Sequence, residues 1–277
     1  MKQQSDIKEA TKNVWGANPA GWTHAKEENP GTKAFFEKVL KERFGKEHDF
    51  LPEFVQYQDW KGKRVLEIGC GAGYDAYMFC KYGADYTGID IVSENIDRTK
   101  KHLKLYNLKA TVLEIDAEKL AFDKKFDLIY SFGVLHHIPN IDVVLQKIKV
   151  NLADDGVFKL AVYNKNSIFY WLHLWWWDHV MCMGFLKESF DTRLAQIEFT
   201  KSDSNPYVKV YTKKSITSLL EQNGFTVKNV LVKKLTHEDL PSVRFIWKFY
   251  TYIPQSFLNV LAKYWGWYLC VEAKKSK

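Results

Sequence analysis

The sequence predicts an α/β fold in which a mostly parallel sheet is wound with helices on both faces. Three observations carry this reading. From Lys63 onward, apolar runs of strand length alternate with helical segments, the first run empties into a glycine-rich turn, and an acid ends the second. Strands are expected near 63–68, 84–89, 110–115, 126–131 and 156–163, with helices near 72–82, 93–106 and 139–152. Asp154-Asp155-Gly156 marks the turn into the fifth strand. Beyond Lys214 the chain resumes with a helix to Asn223, a strand near 225–235 and a last one near 266–273, making the sheet seven-stranded.

Taken in order, residues 1–30 carry turn residues and two tryptophans, Trp15 and Trp22, and read as a mostly irregular lead-in. From Lys33 to Phe44, Phe35, Phe36, Val39, Leu40 and Phe44 recur at helical spacing, which predicts an amphipathic helix before the core. The first strand then runs into Val65-Leu66-Glu67-Ile68-Gly69-Cys70-Gly71-Ala72-Gly73. Its glycines let the backbone turn tightly and approach a ligand, while the following helix offers unpaired N–H groups at its start. The second strand ends Gly88-Ile89-Asp90, which places a carboxylate beside the turn, where it can accept both hydroxyls of a ribose.

The nucleotide can be narrowed. A dinucleotide fingerprint needs glycine three residues after Gly71, and Tyr74 stands there. A phosphate loop needs Gly-Lys-Ser/Thr, and neither Lys nor Ser/Thr follows Gly73. What remains, Glu67-Ile68-Gly69-Cys70-Gly71-Ala72-Gly73 with Asp90, resembles motif I and the ribose-binding acid of the class I S-adenosylmethionine-dependent methyltransferases, a Rossmann-like family. Asp116-Ala117-Glu118 resembles that family's adenine-binding turn. The run from Phe126 to Ser131, followed by Val134-Leu135-His136-His137, resembles the strand-four region of its small-molecule branch, which includes quinone-biosynthesis and sugar O-methyltransferases. The resemblance is strong over about residues 60–165 and implies an antiparallel last strand.

By the same resemblance, the cofactor is S-adenosylmethionine, held by Glu67, Gly69, Cys70, Gly71, Gly73, Asp90, Ile91, Asp116, Ala117 and Ser131. Gly69 and Gly71 would meet its methionine part and Glu67 would brace the loop or its ammonium. Asp90 would take the ribose, Ile91 would pack on adenine, and Asp116 and the Ala117 N–H would meet the base. The lead-in of similar enzymes often folds over the cofactor, which makes Trp15, Asn18 and Trp22 candidates for the site; Tyr207 and Tyr211 are candidates for the acceptor pocket.

A methyl on a sulfonium is already a good electrophile, so the protein must chiefly hold an acceptor in line and exclude water. No metal is required. His173, His179 and Cys182 match no common zinc spacing. If the acceptor is a hydroxyl, a base must take its proton, and His136 and His137, after the fourth strand, are the candidates.

Two segments exceed the minimal fold, roughly 165–210 and 238–263. The organisation expected is a lead-in or cap over 1–60, a cofactor-binding core over 61–164, an aromatic-rich helical lid over 165–212 and the rest of the core over 213–277 with a helical insertion. The run Ile168 to Trp177 is apolar on nearly every helical face and is then interrupted by Asp178 and His179. It fits a lid over the site, or an interfacial helix dipping tryptophans into lipid, better than a membrane span.

The formal charge of +7 suits an anionic substrate, a nucleic acid or an acidic membrane surface without choosing among them. Four cysteines without a regular framework suggest a reducing, cytoplasmic setting, with peripheral membrane contact as the alternative, and the first residues lack a secretory stretch. The expected partner is a small or lipid-linked acceptor, methylated at oxygen. Ser131-Phe132-Gly133-Val134 stands where base-modifying methyltransferases carry an Asn/Asp-Pro-Pro-aromatic run, which argues against a nucleic-acid partner. RNA methylation and a non-catalytic cofactor-binding regulator remain the alternatives. Oligomeric state is left open.

Overall fold

The computed structural model describes residues 4–17, 21–197, 206–241, 247–250 and 252–276. Seven strands form one sheet: β1 Arg64–Ile68, β2 Asp85–Asp90, β3 Thr111–Glu114, β4 Phe126–Phe132, β5 Leu152–Tyr163, β6 Phe225–Lys233 and β7 Tyr268–Lys275. Their order is β3-β2-β1-β4-β5-β7-β6. Only β7 is antiparallel to its neighbours.

The central strands are apolar along their length because helices cover both faces. In β1, Val65 joins the cluster that holds Phe79, Tyr86 and Tyr130, while Leu66 and Ile68 join the opposite one with Ile129, Leu145 and Phe158. Successive side chains therefore enter different cores.

Ten helices flank the sheet among the described residues: α1 Gln4–Ala17, α2 Lys33–Glu42, α3 Leu51–Val55, α4 Tyr74–Lys81, α5 Ser93–Leu105, α6 Ile141–Asn151, α7 Phe190–Ala195, α8 Lys213–Gln222, α9 Trp247–Tyr250 and α10 Gln255–Trp265. The Thr32 hydroxyl caps α2 by accepting from Phe35 N, and α2 ends in a wide π-turn, Arg43–Glu47. A longer π-helical segment spans Phe169–Met181.

Two expectations need correcting. The lead-in is not mostly irregular: α1 takes 14 of its residues and the short helical turn Trp22–Ala25 another 4. Ile7, Thr11 and Val14 already stand at helical spacing, with Val14 buried. The fifth strand also begins at Leu152, not after Gly156, because β5 pairs early with β4 across a register shift between Phe126 and Leu128. Asp154-Asp155-Gly156 is therefore within the strand. Asn18 and residues 198–205 lie outside the described residues.

Chain direction reverses between β1 and β4: from β1 the chain winds outward through β2 to β3, then returns to the other side of β1. In open α/β sheets ligands bind at the carboxyl ends of strands at such a switch. Ile68, Asp90 and Phe132 end the three strands that meet there.

Candidate active site

A cavity of about 870 Å³ opens over those strand ends. One end is lined by Glu67 to Ala72, Asp90, Ile91 and Asp116 to Glu118. The other is lined by aromatic rings, among them Phe132, Tyr163, Phe169, Trp267 and Tyr268. The volume lies within the range of small-molecule sites.

Gly69, Gly71 and Gly73 all have positive φ, at 81°, 55° and 81°. A Cβ at Gly69 would meet Val134 Cγ2 at 2.2 Å, and one at Gly73 would meet Thr99 at 3.0 Å, so packing excludes side chains at both. Gly71 differs. A Cβ there would meet nothing within 4 Å, and the same holds at Gly133 just beyond β4. Both glycines line the cavity, so bare backbone faces open space on its two sides.

Asp90 is the fixed acid. Its carboxylate accepts from Gly71 N at 2.9 Å, Val92 N at 2.9 Å and Asn95 Nδ2 at 3.3 Å. Burial pushes its carboxyl up against those donors. Asp90 lines the cavity, and Asn95, at the longest distance, is the weakest of these three partners. Asp116 caps the turn after β3 by accepting from Glu118 N at 3.0 Å. Its other oxygen accepts from Lys8 Nζ of α1 at 2.6 Å, and Lys8 also lies 2.9 Å from Glu118. With Ile7, Thr11 and Trp15 on the cavity wall, α1 closes this end. Glu67 accepts from Tyr86 Oη at 2.5 Å, and burial together with the Asp75 charge pushes its carboxyl far up.

Not every expected residue faces the cavity. Glu67, Gly69, Cys70, Gly71, Asp90, Ile91, Asp116, Ala117, Trp15 and His137 do. Gly73 sits behind, as the left-handed cap of α4, and Ser131 braces β1 by donating to Ile68 O at 3.1 Å. Trp22 packs edge-on to Phe35 at 5.5 Å, with the Arg98 guanidinium 5.0 Å from its ring. Tyr211 is buried in the core beneath β5, and Tyr207 contributes its carbonyl, not its ring.

The two histidines part company. His136 is fully buried, packs at a tilt against the Tyr163 ring at 3.8 Å and is off the cavity wall. His137 lies on the wall, and its Nδ1 is 2.9 Å from Tyr207 O. A carbonyl only accepts, so Nδ1 carries the proton and Nε2 keeps its lone pair. Burial holds the His137 pKa down at about 4.

Several wall residues escaped the sequence reading. The π-turn brings Arg43, Glu47 and His48 to the cavity, and the preceding segment brings His24. Arg43 Nη2 donates to Asp75 at 2.6 Å, with Tyr57 and Tyr130 also donating to that carboxylate. Four cavity-lining residues hold buried polar atoms without a partner among the described residues: Arg43 Nε, both His48 nitrogens, Tyr74 Oη and His137 Nε2. Buried polar groups are normally paired. Such a concentration fits a wall completed by a polar ligand, and the donors, acids and bare glycines together fit S-adenosylmethionine.

The comparisons with known proteins agree. A family model described as a methyltransferase domain matches residues 36–230. The chain belongs to that family, and by class it is an S-adenosylmethionine-dependent methyltransferase. The ubiquinone biosynthesis O-methyltransferase of Pelagibacter ubique is 33% identical over 105 residues, covering 38% of this chain and 44% of that one. The enzyme of the same name from Actinobacillus pleuropneumoniae is 31% identical over 128 residues, covering 44% and 55%. The chain thus spans about half the length of the curated relatives it matches.

Solved structures share the fold. Magnesium protoporphyrin IX methyltransferase from Synechocystis with bound S-adenosylhomocysteine superposes with a TM-score of 0.58 at 15% identity, covering 97% of this chain and all of that one. The 1,6-didemethyltoxoflavin-N1-methyltransferase of Burkholderia thailandensis gives 0.56 at 13% identity, covering 100% and 92%.

Proposed function

We propose that the protein methylates a hydroxyl oxygen on a small, planar, hydroxylated acceptor, with His137 as general base. The observation that carries this is the His137 tautomer: Nδ1–H is held by the Tyr207 carbonyl, and Nε2 of this cavity-lining residue is buried without a hydrogen-bond partner among the described residues. The imidazole is neutral at physiological pH because burial lowers its pKa. It can therefore take the hydroxyl proton as the oxygen–methyl bond forms, then release it to solvent. The bound cofactor supplies the methyl group on a sulfonium, so no further activation is needed. Aromatic rings at the far end suit a planar acceptor. The name carried by the curated relatives supports an oxygen on a quinone-related molecule.

In this reading Asp90 takes the ribose and Ile91, Asp116 and Ala117 the adenine. Arg43, whose Nε lacks a partner beside the glycine turn, takes the carboxylate of the methionine part. That use explains a buried guanidinium with one side committed to Asp75 and the other side vacant.

A second observation supports contact with a lipid surface. The Phe169–Met181 segment buries Tyr170 and Leu174 and turns Trp171, Trp175, Trp176 and Met181 outward, next to exposed Phe185 and Leu186. Asp178, the acid in this run, is neutralised by Arg193 at 2.5 Å. No helix among the described residues is long and apolar enough to cross a membrane, so the contact proposed is peripheral.

The test is His137→Gln against His136→Gln, assayed for methyl transfer to dihydroxybenzenes and for S-adenosylhomocysteine affinity by calorimetry. His137→Gln is expected to lose turnover by about 10²–10⁴-fold with cofactor affinity retained. Full turnover in that variant would eliminate the base assignment.

A further inference from the structure

The acceptor end of the cavity holds a second imidazole that this reaction leaves unused. His48 ends the π-turn, with its own N–H donating to Arg43 O at 2.7 Å. The side chain is 4% exposed and lies on the cavity wall. Three rings box it edge-on: Phe132 at 4.9 Å, Tyr268 at 5.5 Å and Phe50 at 5.9 Å. The two phenylalanine rings offer it no hydrogen-bonding group, and neither ring nitrogen has a hydrogen-bond partner among the described residues.

The charges that face His48 fix its state. Glu47 Oε2 lies 3.4 Å from His48 Nδ1 and 3.0 Å from His24 Nε2. Burial opposes charge on Glu47, but the His24 hydrogen bond and the Lys234 charge hold its carboxyl well below the usual range. Arg43 and Lys234 add positive charge nearby, and burial with these cations holds His48 at about 3. The ring is therefore a neutral imidazole. A carboxylate beside Nδ1 favours the proton there, which leaves Nε2 as an unpaired acceptor. A buried acceptor left unsatisfied is destabilising unless a ligand or water completes it. Phe132, which packs on this ring, precedes Gly133, where backbone borders open cavity.

Resting on the reading of this cavity as a hydroxylated-acceptor site, we propose that His48 Nε2 accepts a hydrogen bond from a second hydroxyl of the acceptor and so selects polyhydroxylated over monohydroxylated molecules. His48 is then a specificity-determining residue. Glu47, held by His24, positions it. Both come from the one π-turn that also supplies Arg43, a geometry often found at functional sites.

Calorimetry on the full chain saturated with S-adenosylhomocysteine tests this, with phenol, catechol, resorcinol and hydroquinone as probes. At least one dihydroxybenzene is expected to bind about tenfold tighter than phenol, as one hydrogen bond to a buried neutral group predicts. His48→Phe should collapse that ratio to near one without altering cofactor affinity, and His48→Gln, whose amide oxygen accepts, should restore most of it. Should the Phe variant fail to fold, Glu47→Gln gives a second readout: imidazole ¹⁵N shifts of His48 should move from the Nδ1–H form towards a mixture of tautomers. A ratio unchanged by His48→Phe, nitrogen shifts unchanged by Glu47→Gln, or no preference over phenol in the parent chain would overturn the assignment of His48 alone. Failure of every phenol to bind the cofactor-saturated chain would instead bring down the acceptor reading, and this inference with it.

Discussion

Gly71→Ala separates what the backbone needs from what the ligand needs. Gly71 has φ 55° and an added Cβ would meet no protein atom within 4 Å. The folded state therefore loses only the cost of placing an L-residue in the left-handed region, about 1–2 kcal/mol. In a chain of this size that lowers Tm by roughly 2–4 °C. The methyl enters the space that the cofactor is argued to fill, so S-adenosylhomocysteine affinity should fall at least about tenfold, or 1.4 kcal/mol. Gly62→Ala is the control. It has φ 70°, meets nothing within 4 Å and lies off the cavity wall, so it carries the same backbone cost without the steric one. Scanning calorimetry and isothermal titration on both variants give the comparison. Equal cofactor affinity in the two would refute the assignment of open space at Gly71 to the ligand.

Other consequences follow from the same geometry. Arg43→Lys keeps the charge beside Asp75 but loses the forked donor, and should weaken S-adenosylhomocysteine about tenfold while leaving 5′-methylthioadenosine, which lacks the amino-acid part, nearly unchanged; equal losses for both, measured by titration, would count against the carboxylate contact. With His137 at about 4, the acid limb of kcat/KM should fall near pH 4, not near the ordinary histidine value of about 6.5; a limb at 6.5 would mean another base. His48, His102 and His137 are all held low, at about 3, 4 and 4, so the unfolded chain binds protons that the folded chain does not. Their contribution is complete above about pH 6.5 and is lost as pH falls towards 4, each with a slope of up to about 1.4 kcal/mol per pH unit, as urea titrations across that window should show. Trp175→Ser with Trp176→Ser should reduce co-sedimentation with anionic vesicles severalfold, and equal pelleting of parent and variant would remove that face from the lipid reading.

The sheet was legible because parallel strands covered on both faces are apolar runs, and Val65 to Ile68 or Leu128 to Tyr130 can form little else. The cofactor end was legible for a related reason: glycines and an acid at strand ends are local signals, and Gly69, Gly71 and Asp90 are brought together by two adjacent strands. The acceptor end was not. Arg43 lies in the tail of the expected amphipathic helix and Glu47 and His48 just beyond it, and nothing in their spacing announces a π-turn that swings them inward. Lys234 and Trp267 reach the same cavity from strands distant in sequence. His136 and His137 are equivalent as neighbours in the chain, and only the Tyr207 carbonyl, seventy residues on, distinguishes them. For α1, the tryptophans, glycines and proline near its end masked an apolar spacing earlier in the segment.

A crystal soaked with S-adenosylhomocysteine examines the account at its centre. Density is expected along Gly69 to Gly71, with the ribose hydroxyls on Asp90, the carboxylate at Arg43 and the sulfur facing the side of the cavity that His137 lines. Density elsewhere on the chain, or an empty cavity at millimolar ligand, would contradict it.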